Sequence, residues 1–322
     1  MYYLMLLAAA ILLSACFATN KLYEREAGSS LKAGFTFNIL LGTLACIIFF
    51  CAGGFTFRIT PFSMLMATIL TLLVITNTLL GFKIIKDGSV SVYTLFLMSG
   101  GMTVPYIYGI LFLNEEFTVI RTVGIVLLIC AVALSSFKGR GERVKLSNLL
   151  MCITVFISNG FVSVTSKLHQ DEYVAFNEGA AGAYASVDTA HFVILSGIAK
   201  IVVCGVVLGI LILAERARAK KALPAPKTEK CESAEGEKKF DFAKSWKRLI
   251  PIVVAAAVLD SVSYFLQLKG AANLPASVTY PMVTGGSIVF MPIAAYIAFR
   301  EKPTRFIVIS VALSFAATLM FL

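Results

Sequence analysis

Apolar residues fall into ten runs of about 18 to 25 positions, separated by polar breaks. They lie at about 2–19, 33–53, 61–82, 90–113, 118–137, 147–166, 190–214, 249–268, 276–299 and 304–322. Wound as a helix at 1.5 Å per residue, each run reaches across roughly 30 Å of hydrocarbon. The pattern predicts an all-α polytopic membrane protein with ten transmembrane helices. Two breaks are long. Residues 167–189 read as an outer loop, with Asp171, Glu172, Glu178 and Asp188 set against Lys167. Residues 215–248 are rich in Lys, Ala, Glu and Pro and lack apolar residues to bury, which predicts a disordered or loosely helical charged linker on the cytoplasmic side.

The runs repeat. "MSGGMTVPYIYGILFLNEE" (98–116) and "VTGGSIVFMPIAAYIAFRE" (283–301) share a hydroxyl residue, a glycine pair, an apolar stretch and a glutamate, with fifteen positions from the second glycine to the glutamate in both. The offset of 185 aligns residues 92–136 with 277–321 without a gap. "ATNKLYER" (18–25) matches "VTSKLHQD" (164–171), and "FNILLG" (37–42) matches "FVILSG" (192–197). The unit is therefore five helices used twice, residues 1–137 and 138–322. Five is odd, so the second copy enters the membrane upside down, as in the inverted repeats of alternating-access transporters.

Composition agrees with a membrane chain. Of 322 residues, 58% are hydrophobic and 14% charged, against about 25% charged in soluble domains. The net charge of +10 sits in loops, where it serves topology and anionic headgroups and does not imply nucleic acid. With the long linker set aside, the loops after odd-numbered spans hold 12 Lys and Arg and those after even-numbered spans 4. Basic loops stay inside, so both termini are predicted outside a cytoplasmic (inner) membrane. The seven cysteines show no metal-ligand spacing and read as small buried hydrophobes, apart from Cys231 in the charged linker. "LSAC" (13–16) resembles a lipoprotein cleavage box, but "MYYLMLL" has no basic residue for a signal peptide.

The 5+5 arrangement resembles the drug/metabolite transporter superfamily in its ten-helix EamA-like form. The likeness rests on the fourth-to-fifth helix pattern of each half, "VPYIYGILFLNEEFTVIRTVGIVLLICAVAL" (104–134) and "MPIAAYIAFREKPTRFIVISVALSFAATLM" (291–320). It covers nearly the whole chain and names no substrate. It implies a central cavity and a solute such as an amino acid, sugar, nucleotide sugar or cationic drug. Members usually keep both termini cytoplasmic, whereas the charge count here places them outside.

Two ionisable residues fall deep within predicted spans. Asp260 lies about 11 residues from the start of span 8 and Lys200 about 10 from the start of span 7, so both sit roughly 15–17 Å deep. A charge at a helix centre costs about 2.5–3.5 kcal/mol on insertion scales. Either Asp260 exchanges a proton with Lys200 tuning it, or the two form a static ion pair. The glycine pairs Gly100–Gly101 and Gly285–Gly286 allow close packing or local opening of a helix, and Ser99 and Thr284 can offer hydroxyls there. Pro105, Pro281 and Pro292 free nearby carbonyls. Asn77, Tyr106, Asn159, Tyr264, Gln267 and Tyr280, together with Thr76, Tyr108, Ser158 and Ser261, are polar groups that should face the interior and line a substrate site. Glu116 and Glu301 end their helices at opposite membrane edges, as exposed anions or as gates paired with basic loops.

The expected function is a secondary transporter moving a small polar or amphipathic metabolite by alternating access, with protons coupled through Asp260. A passive channel or facilitator, or a small-molecule receptor, is the alternative. An intramembrane enzyme has little to work with, because the histidines are His169 in a predicted loop and His191 at a helix start, and no HExxH or GxSxG motif occurs. Lacking a GxxxxGK[ST] loop, the chain would draw on an ion gradient or the solute's own gradient. No cofactor or metal is expected. The expected partners are a small-molecule substrate and the lipid bilayer, and the chain is a monomer or homodimer.

Overall fold

The computed structural model describes residues 1–28, 30–87, 90–136, 146–221, 242–300 and 305–320. Among them there is no strand. The helices are α1 (Tyr2–Ala27), α2 (Leu31–Ala52), α3 (Pro61–Asp87), α4 (Val90–Phe112), α5 (Val119–Ser136), α6 (Leu146–Asn177), α7 (Thr189–Lys221), α8 (Phe242–Ala271), α9 (Ala276–Tyr280), α10 (Gly286–Phe299) and α11 (Arg305–Leu319). A π-helical turn, Pro281–Gly285, joins α9 to α10. Among the described residues, seven helical stretches are long and apolar enough to cross a membrane, and Phe96–Phe112, Val119–Ala131 and Val308–Ala317 are shorter apolar helices. The chain is all-helical and consistent with a polytopic membrane protein.

Local chemistry sets the helix ends. Ser30 Oγ accepts the Ala33 N–H at 3.2 Å, Thr60 Oγ1 that of Ser63 at 3.3 Å, and Asp188 Oδ1 that of His191 at 2.9 Å. Each satisfies a backbone donor that the first helical turn leaves open. Pro105 lies within α4, which continues through it. Pro281 instead opens the π-helical turn, which ends at Gly285, so the two glycine pairs sit in different local structures.

Two expectations about the long breaks change. Residues 167–177 are helical, the last three turns of α6, and only 178–188 form a loop. Polar residues there read as solvated, yet Lys167, His169 and Gln170 are buried because other helices supply their partners. In the 215–248 linker, α7 extends to Lys221 and α8 begins at Phe242. Ala, Arg and Lys are good helix formers and extend α7 beyond its apolar run. Residues 222–241 lie outside the described residues.

Packing is pairwise and extensive. α1 runs against α8 and α10, α6 against α3 and α4, α7 against α2 and α3, α8 against α2, and α5 against α11. At the α2–α7 crossing, backbone meets backbone. A Cβ on Gly42 would stand 2.8 Å from Gly197 O, and one on Gly197 2.8 Å from Gly42 O. Cys46 Sγ reaches Ile194 O at 3.4 Å in the same crossing. Small residues at such a crossing let the helix axes draw close.

Candidate functional site

Lys200 on α7 and Asp260 on α8 face each other, with Nζ 3.5 Å from Oδ2. Both turn away from the outer surface. On α7 the exposed stripe is Val202, Val206, Ile210 and Leu213, and on α8 it is Ile250, Val254 and Val258. At 100° per residue, Lys200 and Asp260 lie about 160° from the stripe residue next to them in sequence, Val202 and Val258, and about 80° from the nearest in angle, Ile210 and Ile250. Their side chains nonetheless remain 21% and 31% exposed. Charges inside a helical bundle either pair or border water, and these two pair. α2 borders it at Gly42, where a Cβ would stand 3.3 Å from Lys200 Cβ. α1 borders the same part of α8, with Cys16 Sγ 3.9 Å from Ala256 O.

The glycine motifs meet across α4 and the π-helical turn. A Cβ on Gly101 would stand 3.4 Å from Thr284 Cγ2 and 2.8 Å from Asn159 Nδ2. Gly100 packs on the Phe156 backbone of α6, and Gly286 on Ala10 of α1. Asn159 Nδ2 donates to Leu97 O at 2.6 Å, and Asn77 Nδ2 to Asn159 Oδ1 at 3.4 Å. Ser99 Oγ, Asn77 Oδ1 and Tyr280 OH are buried without a hydrogen-bond partner among the described residues. Thr284 Oγ1 donates to Tyr280 O. The remaining candidates are placed by other contacts. Tyr264 OH pairs with Ser166 Oγ at 3.2 Å, Tyr106 OH with Thr122 Oγ1 at 2.6 Å, Gly285 is buried in the π-helical turn, and Gln267 is half-buried.

Glu116 is exposed, in keeping with the first of its two readings, and Glu301 lies outside the described residues. Next to Glu116, Glu115 makes a contact across the bundle. Its carboxylate accepts the N–H of Ala276 at 2.6 Å and of Ser277 at 2.9 Å, capping the start of α9 from the end of α4. Beside it, Lys167 Nζ lies 2.7 Å from Asp171 Oδ1 and donates to Ala271 O at 2.7 Å and Leu274 O at 3.1 Å. Glu115 and Lys167 thus tie the α4–α5 connection and the last third of α6 to the α8–α9 connection. Their sequence signals were faint. Glu115 stood in a Glu–Glu pair of which Glu116 matched the repeat, and Lys167 read as a loop residue.

A second cluster reinforces the same face. Ser63 Oγ sits 2.8 Å from His169 Nε2, Gln170 Nε2 lies 3.2 Å from His169 Nδ1, and Thr189 Oγ1 donates to Gln170 Oε1 at 3.1 Å. The imidazole stacks on Phe192 with centroids 3.6 Å apart. In the loop before α7, partial burial pushes the Asp188 carboxyl up, but the His191 backbone N–H and imidazole outweigh it and hold it below the usual carboxylate range. Among the described residues, no three His, Cys, Asp or Glu side chains gather to hold a metal.

Burial differs between the two matched segments. Residues 163–167, 169 and 170 of α6 are all buried, whereas residues 17–22 of α1 are half-buried and 24–26 exposed. The bundle is closed around residues 163–170 of α6 and looser around residues 17–26 of α1, where Tyr23 alone is buried.

Neither a protein-family model nor a curated protein matches the sequence. A solved structure described only as "Crystal structure of protein" superposes with a TM-score of 0.63 over 97% of this chain and 95% of its own, at 12% identity. Likeness at that identity speaks for the fold alone.

Proposed function

We propose that the chain is a secondary transporter for a small polar or amphipathic metabolite, built from two inverted five-helix halves and working by alternating access. The observation that carries this is one-sided closure around an interior ion pair. Lys200 and Asp260 are screened from the lipid-facing stripes yet remain partly open, while the Glu115 and Lys167 contacts seal one end. Packing supports the halves. Exchanging α1 with α6, α2 with α7, α3 with α8, α4 with α9–α10 and α5 with α11 turns the α1–α8 contact into α6–α3 and the α2–α8 contact into α7–α3, and leaves α2–α7 and α5–α11 in place. Gly42 and Gly197, the matched glycines of the repeat, then touch each other about the exchange axis. The resemblance to the drug/metabolite transporters points the same way. By the charge count, the sealed end faces outside and the looser end faces the cytoplasm.

Asp260 carries the coupling proton in this reading, and the solute sits near Gly101 and Thr284 between the halves. The test is reconstitution into liposomes with a panel of amino acids, sugars, nucleosides and quaternary amines. A carrier gives saturable uptake and counterflow, whereas uptake that never saturates and shows no counterflow identifies a pore. Asp260→Asn should retain counterflow but lose accumulation driven by a pH gradient. Retained proton-driven accumulation removes Asp260 from that role.

A further inference from the structure

A groove of about 210 Å³ opens on the flank of the bundle between α2 and α8, floored by Tyr23 of α1. Its walls are Leu40, Thr43 and Leu44 of α2 and Leu249, Ile250, Val253 and Val254 of α8. The two hydroxyls in this lining are committed to backbone. Tyr23 OH donates to Ala33 O at 3.2 Å and Thr43 Oγ1 to Ile39 O at 2.8 Å. The groove therefore offers an occupant no polar partner. It opens outward, since Ile250 and Val254 on one wall and Ile47 beside the other are exposed.

Cations crown one end. Lys247 precedes Ile250 and Val254 by three and seven positions, so it stands on their helix face about one turn beyond the groove. Arg248 follows it, and both are exposed. On α2, Lys32 precedes Leu40 by eight positions on the same face, where it is exposed and pairs with Glu215. An apolar slot that runs along the helices and ends beneath exposed cations matches a molecule with a hydrocarbon tail and an anionic head. We propose that the groove binds an acyl chain of an anionic phospholipid, with its phosphate held by Lys247 and the adjoining Arg248 adding positive charge at the same level of the helix. The chain contributes apolar burial and the phosphate contributes charge at the interface, where polybasic clusters attract anionic lipid.

The probes are phosphatidylglycerol and phosphatidylcholine of identical chains, added to purified, delipidated protein and followed by native mass spectrometry and thermal shift. Phosphatidylglycerol should be retained at least threefold more than phosphatidylcholine. Lys247→Glu with Arg248→Glu should erase that preference and leave phosphatidylcholine retention unchanged. Val254→Trp, a substitution on the outer surface, should fill the slot and lower retention of both lipids at least threefold. Equal retention of the two lipids by the wild type overturns the headgroup assignment, and unaltered retention by Val254→Trp overturns the groove. The wild-type lipid comparison decides the matter even if a variant is poorly produced.

Discussion

Replacing Glu115 with alanine should loosen the sealed end of the bundle. Its carboxylate accepts two backbone N–H groups, at 2.6 and 2.9 Å, from the first residues of α9. Hydrogen bonds to a charged group contribute about 1.5–3 kcal/mol each. Glu115 is half-buried and water can replace part of each bond, so the low end applies and the pair contributes about 2–3 kcal/mol. If these bonds exist only while this end is closed, their loss raises the open population roughly 30- to 150-fold. Ser166 reports on opening, because it is 1% exposed and its Oγ meets Tyr264. With cysteine at position 166, a membrane-impermeant maleimide should react faster by about that factor in the Glu115→Ala variant, provided closing is fast relative to labelling. Glu116→Ala is the control, since Glu116 is exposed, and should leave the rate unchanged. Equal rates with and without Glu115, or equal acceleration by both alanines, would refute the latch.

Three further outcomes follow from the same fold. Lys200→Met should destabilise the protein by about 1–3 kcal/mol, less than a fully buried pair because both side chains are partly exposed; Lys200→Met with Asp260→Leu should melt above either single variant. Gly100→Ala would place a Cβ 1.9 Å from Phe156 O and should lower the melting temperature sharply, whereas Gly205→Ala and Gly209→Ala meet nothing within 4 Å and should be neutral or raise stability by up to about 1 kcal/mol. Asp188 has a folded-state pKa below its ordinary 3.8, so its capping contribution is full above about pH 4 and declines as pH falls through the folded value; Asp188→Ala should cost about 0.5–2 kcal/mol at pH 7 and less as the pH is lowered below about 4, read by thermal melts across that range.

Hydropathy made the long helices readable, because hydrocarbon admits few polar residues and the runs stand out. It failed at 167–177, where Lys167, His169 and Gln170 look like solvent-exposed residues in one dimension. Their partners are Ser63, Thr189 and the Ala271 and Leu274 carbonyls, all distant in sequence, so local pattern could not reveal the burial. Matched depth on neighbouring spans made the Lys200–Asp260 pairing legible. Glu115 was not legible, since choosing between adjacent glutamates depends on which one the left-handed backbone at Asn114, φ 53°, turns towards α9. The meeting of Gly101 with Thr284 followed the spacing of the repeat. The absence of a matching π-helical turn in α4 did not, because Pro105 and Pro281 occupy different positions relative to their glycines.

The crossing of Gly42 and Gly197 carries a mechanical consequence. Where two rods touch through peptide, with only Cys46, Lys200 and Ile201 flanking the contact, few side chains stand in the way of a swivel, so friction at that point is low. Interlocked leucines would have to unmesh before such a turn. A bearing of this kind concentrates angular freedom at one place along the rods and leaves their far ends to sweep the widest arcs.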